Sequence, residues 1–251
     1  MYIQSGGIRL SCDLDIPAYD APLAVLLHGI TGNRQERHIT GVADALRRAG
    51  FGTLRADLYG HGESDGSFSE HTIPRWVCNA LDILDYAGAV SSRVFLCGHS
   101  QGGLTAILAG EERSVQLSGM ILLSPAWSIP EGARRGDLLG MRFDPEKVPD
   151  HMELPNKGVS VGREYIRTAQ SICIGKLTYS GPVLIVHGEA DQTVPVSWSR
   201  ELVRRYRNAG LVTVPGDTHC YDHHLDTVLE TVKAWALDAA RVNEANKSNQ
   251  T

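Results

Sequence analysis

The run LAVLLHG at 23–29 is apolar almost without interruption and ends in glycine. A strand with one wet face would alternate, so this pattern fits a strand buried on both sides. Five more β-rich runs follow: FGTLRADL (51–58), RVFLCG (93–98), GMILLS (119–124), PVLIVHG (182–188) and LVTVPG (211–216). Helical patterns lie between them. Residues 35–49 place Ile39, Val42, Leu46 and Ala49 near one face, with Gly50 in the stop position. Thr72 is placed as an N-cap, Pro74 falls in the first turn, and Val77, Leu81 and Leu84 carry the stripe. The last pattern is Leu225, Val228, Leu229, Val232 and Trp235. Strand–helix alternation of this length implies a mainly parallel sheet with helices on both faces. Ligands on such sheets sit at the carboxyl ends of the strands, so the loops after each strand are where chemistry is sought.

A length of 251 residues suits one sizeable core, expected here as a single domain over 1–241. Residues 126–179 break the rhythm with a segment rich in Pro, Gly and charge, which reads as an insertion covering the strand ends. After Val242 the apolar residues stop, and 242–251 reads as a disordered tail. The net charge of −5 argues against a nucleic-acid or anionic-membrane partner, and the pairs Arg47-Arg48, Arg134-Arg135 and Arg204-Arg205 are scattered. Five cysteines with no C-x-x-C pair fit reduced thiols in a cytoplasm better than a disulfide framework or zinc ribbon. A homodimer is a compatible assembly.

FLCGHSQGGLTAILAG (95–110) joins a strand to a helix through Gly98-His99-Ser100-Gln101-Gly102. This fits G-x-S-x-G in its required context, where the tight turn lifts the serine above the sheet. Ser100 is then a nucleophile, with the N–H of Gln101 and the following helix dipole favouring negative charge beside it. The plainer reading is an N-cap serine.

A serine hydroxyl needs a base, and the base needs a carboxylate to fix its tautomer. Glu189-Ala190-Asp191-Gln192 follows one later strand, and Asp217-Thr218-His219 follows the last. Asp191 is the expected acid, with Glu189 as competitor. Asp217 lies too near His219 in sequence to reach its far side easily. His219 is the expected base because it comes first after the final strand. His223 and His224 are assigned to the start of a helix near Tyr221 or Asp222. GDTHCYDHH (216–224) also reads as a metal cluster of Asp217, His219 and His223, but that needs His219 to be helical, and Gly216 puts it in a loop. No metal or other cofactor is therefore expected. HGITG (28–32) supplies a second oxyanion donor, the N–H of Ile30, while His28 reads as structural. The glycine-rich YGHGESDG (59–66) does not lead directly into a helix, so a nucleotide site is not expected.

GHSQGG, HGITGNRQERH, LRADLYGHGESDG, IVHGEADQTVP and PGDTHCYDHH together resemble the α/β-hydrolase fold, and more narrowly the bacterial cinnamoyl (feruloyl) esterases, over nearly all of 20–240. The resemblance implies a serine esterase acting on small hydroxycinnamate esters, with Ser100, His219 and Asp191 as triad and Ile30 and Gln101 as oxyanion donors. It also implies that the insertion builds the acyl pocket, with Asp137 and Tyr165 holding the phenolic hydroxyl. Trp127, Met141 and Phe143 are candidate apolar walls, or else core. The alternatives are a general short-chain carboxylesterase or monoacylglycerol lipase, and a non-catalytic binding module on the same scaffold.

Overall fold

The structure, a computed structural model, describes the backbone of residues 1–248 and the side chains of 1–242. The chain starts with strands β1 (Tyr2–Ser5) and β2 (Ile8–Asp15), an antiparallel pair. Then come β3 (Leu23–Leu27), α1 (Arg37–Arg48), β4 (Gly52–Ala56), α2 (Ile73–Val90), β5 (Val94–His99), α3 (Gln101–Glu112) and β6 (Leu117–Leu123). The stretch 126–179 holds α4 (Ile129–Arg135), the pair β7 (Asp137–Leu138) and β8 (Met141–Arg142), the pair β9 (His151–Glu153) and β10 (Ser160–Gly162), and α5 (Arg163–Ser171). The chain closes with β11 (Val183–Gly188), α6 (Ser197–Leu202), β12 (Ala209–Val214) and α7 (Leu225–Ser248).

Eight strands form one sheet in the order β1-β2-β4-β3-β5-β6-β11-β12. From β4 to β12 every pairing is parallel, and β2 meets β4 antiparallel. The strand period of two divides each central strand between two cores. Leu23, Val25 and Leu27 face the core under α2, α3 and the insertion, while Ala24 and Leu26 face the one under α1 and α7. In β5, Val94 and Leu96 point one way, and Phe95 and Cys97 the other. Continuous apolar runs were the correct signature of strands wetted on neither face.

Local chemistry sets the helix ends. The Thr72 hydroxyl accepts the Arg75 N–H at 3.2 Å and caps α2. Gly50, at φ +88°, donates its N–H to the Arg47 carbonyl and ends α1. Two expectations change. The final helix starts at Leu225, not near Tyr221 or Asp222. Tyr221 has φ +59°, which interrupts a helix, and the buried Asp217 carboxylate takes the N–H groups of His223 and His224 at 3.1 and 3.2 Å. That helix also runs on to Ser248, through most of the expected tail, and 249–251 lie outside the described residues. The β1–β2 hairpin adds to the strands expected from the apolar runs. Its signal is Gly6-Gly7, both at positive φ, as a two-residue turn of this twist requires.

Candidate active site

The turn from β5 into α3 leaves no room for side chains around Ser100. A Cβ on Gly98 would overlap the Gly102 carbonyl, and one on Gly102 would overlap the His28 carbonyl. Ser100 itself sits at φ 55°, ψ −120°, a sparsely populated conformation held by backbone bonds. Its N–H donates to Leu123 O at 2.9 Å, and its carbonyl accepts from Gly103, Leu104 and Ala126. The side chain makes no capping bond, so the N-cap reading does not describe it. Instead Ser100 Oγ lies 2.9 Å from His219 Nε2, and His219 Nδ1 lies 2.6 Å from Asp191 Oδ2. A carboxylate facing Nδ1 puts the proton there, which leaves Nε2 free to accept from the serine hydroxyl.

Asp191 is buried, and burial alone would raise its pKa. Hydrogen bonds from His187 and His219 outweigh that and hold it well below the usual carboxylate range. Its other oxygen accepts the N–H groups of Thr193 and Val194, both at 2.8 Å. His187 was not singled out in the sequence. Its Nε2 faces two acceptors, Val194 O at 2.8 Å and Asp191 Oδ2 at 3.1 Å, and Ser199 Oγ lies 2.7 Å from Nδ1. It steadies the acid at Oδ2, the same carboxylate oxygen that faces His219. The competitor Glu189 is exposed and accepts from the Thr213 hydroxyl at 2.8 Å.

The N–H of Gln101 opens α3, where a helix has no internal acceptor for it. Ile30 is the second residue of a turn closed by Gly32 N–H to Gly29 O at 3.1 Å, so its own N–H is not used in that turn. A cavity of about 650 Å³ opens over Ser100 and His219, with Ile30, Leu139, Leu154 and Pro155 in its walls. The last three come from the insertion.

The structure brings none of the three candidate acyl-pocket residues to this cavity. Asp137 is exposed on β7. Tyr165 is fully buried on α5 and donates its hydroxyl to Gln101 Oε1 at 2.7 Å. Trp127 donates its indole N–H to Trp198 O at 2.9 Å, lies under the Arg205 guanidinium, and borders a separate cavity of about 290 Å³. Met141 is buried in the core and Phe143 packs against it, the plainer of their two readings.

A second group of titratable side chains adjoins the first. Glu36, just before α1, His38 on α1 and His99 in the elbow turn toward one another. Burial and the neighbouring His219 push His38 down to about 4, and burial with His38 and His219 holds His99 well below its ordinary value. Both rings are neutral at ordinary pH. Burial raises the Glu36 carboxyl to about 7, against the pull of Lys157. Cys220, also in the cavity wall, is pushed up to about 11 by burial and then by Glu36 and Asp222. Within GDTHCYDHH, the buried Asp217 takes backbone N–H groups from Thr218, His223 and His224, which is a loop-forming role.

An elbow serine, a carboxylate-oriented histidine and a mainly parallel sheet define the α/β-hydrolase class. Two family models match the chain, one described as serine aminopeptidase S33 over residues 21–151 and one as TAP-like protein over 166–247. The structure of Est1E from Butyrivibrio proteoclasticus with ferulic acid bound is 45% identical, with a TM-score of 0.93 over 96% of this chain and 99% of that one. A monoacylglycerol lipase of Mycolicibacterium smegmatis is 26% identical over 92% of this chain and 94% of its own length. Human ABHD12B is 25% identical over 75% of this chain, which spans 51% of that protein. The chain belongs to the α/β-hydrolase family, among its serine hydrolases.

Proposed function

We propose that this chain hydrolyses carboxylic esters through an acyl-enzyme on Ser100, and that the preferred acyl group is a hydroxycinnamate. The observation carrying the reaction type is the Ser100–His219–Asp191 relay, with contacts of 2.9 and 2.6 Å, at the floor of an open cavity. His219 takes the serine proton as Oγ attacks the ester carbonyl. The N–H groups of Ile30 and Gln101 receive the oxyanion. The alcohol leaves with the proton from His219, and water repeats the sequence on the acyl-enzyme. Asp191 keeps the imidazole in the required tautomer and balances its charge when protonated.

The acyl preference rests on the likeness to Est1E, whose structure holds ferulic acid. Ile30, Leu139, Leu154 and Pro155 offer a flat aryl-propenoyl group an apolar wall. The match to a monoacylglycerol lipase favours a second reading, a glyceryl ester as substrate. The decisive measurement is kcat/KM for methyl ferulate and methyl p-coumarate beside a glyceryl monoester and a short-chain acyl ester. An advantage for the hydroxycinnamates is expected, and parity or reversal removes that acyl assignment. Ser100→Ala should lower kcat on every ester by at least about 10⁴-fold and abolish labelling by a serine-directed phosphonate. Five free cysteines support placement in a reducing compartment, the cytoplasm. Among the described residues no helix is long and apolar enough to cross a membrane.

A further inference from the structure

Seven buried side-chain nitrogen or oxygen atoms lack a hydrogen-bond partner among the described residues, and three of them meet in one place. They are Glu36 Oε2, His38 Nε2 and His99 Nδ1, on three residues that can each bring one ligand atom within 4.8 Å of the others'. Buried polar atoms are almost always satisfied, so three orphans facing each other call for an occupant.

Their chemistry says which kind. His99 Nε2 lies 2.9 Å from the carbonyl oxygen of His219, an acceptor, so Nε2 carries the proton and Nδ1 presents a bare lone pair. Glu36 Oε2 is a carboxylate oxygen. His38 Nε2 stands 3.7 Å from it, too far for a hydrogen bond. That spacing is close to the roughly 3.4 Å between neighbouring ligands around a tetrahedral ion held at about 2.0–2.1 Å. His38 and His99 are each 3% exposed, so their unpartnered nitrogens are not served by bulk water. Glycines leave room for the group: a Cβ on Gly32 would overlap the Glu36 carboxylate, and one on Gly29 would sit 3.1 Å from His99 Nδ1.

We propose that Glu36, His38 and His99 form a three-ligand site for a zinc-class divalent transition-metal ion, open on one side to the substrate cavity. Two imidazoles and one carboxylate are a donor set that such ions accept. The support one shell out is present as well, because His99 donates its far N–H to a backbone carbonyl, which fixes its tautomer. Entry is through the cavity, whose wall includes Glu36 and His99. The carbonyl that His99 engages is that of His219, so an ion there fastens the start of α1 to the elbow and to the loop of the base. In sequence the three ligands are 36, 38 and 99, a spacing that no metal motif announces.

The test is titration of chelator-treated, full-length protein with cobalt(II), read by visible d–d absorption, and with zinc, read by calorimetry and by the thermal midpoint. One ion per chain, a low-symmetry cobalt spectrum and a raised midpoint with zinc are expected. His38→Ala and Glu36→Gln should each weaken binding by about a hundredfold or more, since even outer-shell changes cost ten- to a hundredfold. Cys220→Ser and His224→Ala should leave it within about twofold. No stoichiometric binding by the wild type overturns the proposal. So does binding that survives both ligand variants, or binding that fails in Cys220→Ser, which would place the ion at the His219 loop. None of these readouts uses turnover, so a wrong ester assignment does not affect them.

Discussion

His219 and His99 stand with ring centroids 4.8 Å apart, and they belong to opposite kinds of site. Around His219 every polar atom is matched: serine on one nitrogen, carboxylate on the other, and the carboxylate itself held by His187 and two backbone N–H groups. Around His99 one nitrogen is matched and the other faces two more unmatched atoms. Both groups border the same cavity, yet most of their polar atoms are buried, and there an unmatched polar atom is costly and a matched one adds rigidity. The first arrangement is complete within the chain. The second is complete only with a positive guest.

The largest effect that tests this contrast comes from Asp191→Asn. The amide cannot act as the carboxylate toward His219 Nδ1, so kcat should fall by about 10⁴-fold, measured on whichever ester the wild type turns over best. Glu189→Gln, changing the exposed competitor, should leave kcat within about twofold. A comparable loss in Glu189→Gln would reassign the acid. The same carboxylate gives a pH test. Its folded pKa is depressed, so its stabilising contribution is fully present above the unfolded value, about 3.9, and is lost as pH falls through the lower folded value. The stability gap between wild type and Asp191→Asn should therefore be constant from pH 7 to 5 and narrow below about pH 4. A gap that widens in acid would contradict the assigned direction.

These differences track what the sequence could reveal. Ser100, Asp191 and His219 each follow a strand, and a parallel sheet gathers strand ends without further instruction, so their meeting was legible from order along the chain. The strands were legible for the same reason, since burial on both faces writes itself into continuous apolar runs. Tyr165, Trp127 and Asp137 were different. Their partners are Gln101, Trp198 and solvent, and which way an insertion residue turns depends on packing between α4, α5 and the sheet. Glu36, His38 and His99 were hidden further, because they lie before α1, on α1 and at the end of β5 and meet only in the fold, whereas the crowded GDTHCYDHH is a segment whose aspartate organises its loop.

Tyr165→Phe probes the one satisfied atom of the Gln101 side chain, whose Nε2 is itself unpartnered. Removing the hydroxyl leaves Gln101 Oε1 buried without its 2.7 Å donor, which should cost about 1–3 kcal/mol in urea unfolding. Relative kcat/KM for ring-hydroxylated and unsubstituted cinnamates should not move. A changed ring preference at unchanged stability would return Tyr165 to the acyl pocket. A smaller effect, of about tenfold or more, is expected in thiol labelling. Cys220 is raised to about 11, so at pH 7.5 little of it is thiolate, and the exposed Cys78 and Cys173 should alkylate first. Equal rates at Cys220 would show that its neighbours do not keep it protonated.

The smallest effect discriminates best between the two regions. In chelator-treated protein, His38→Leu removes one of three mutually unmatched atoms and keeps an apolar body in a buried position. Replacing an unsatisfied buried group with an apolar one of similar size is nearly neutral or stabilising. The change in unfolding free energy should therefore lie within about 1 kcal/mol of zero and lean toward stability. With zinc present the order must reverse, because the wild type then gains binding energy that His38→Leu cannot. A loss in the chelated protein as large as that of Tyr165→Phe would mean that His38 is already satisfied without a metal, by a buried water for instance. The contrast between a complete triad and an incomplete neighbour would then collapse. A crossing of the two stabilities as zinc is added is an outcome that only an ion held by His38 produces.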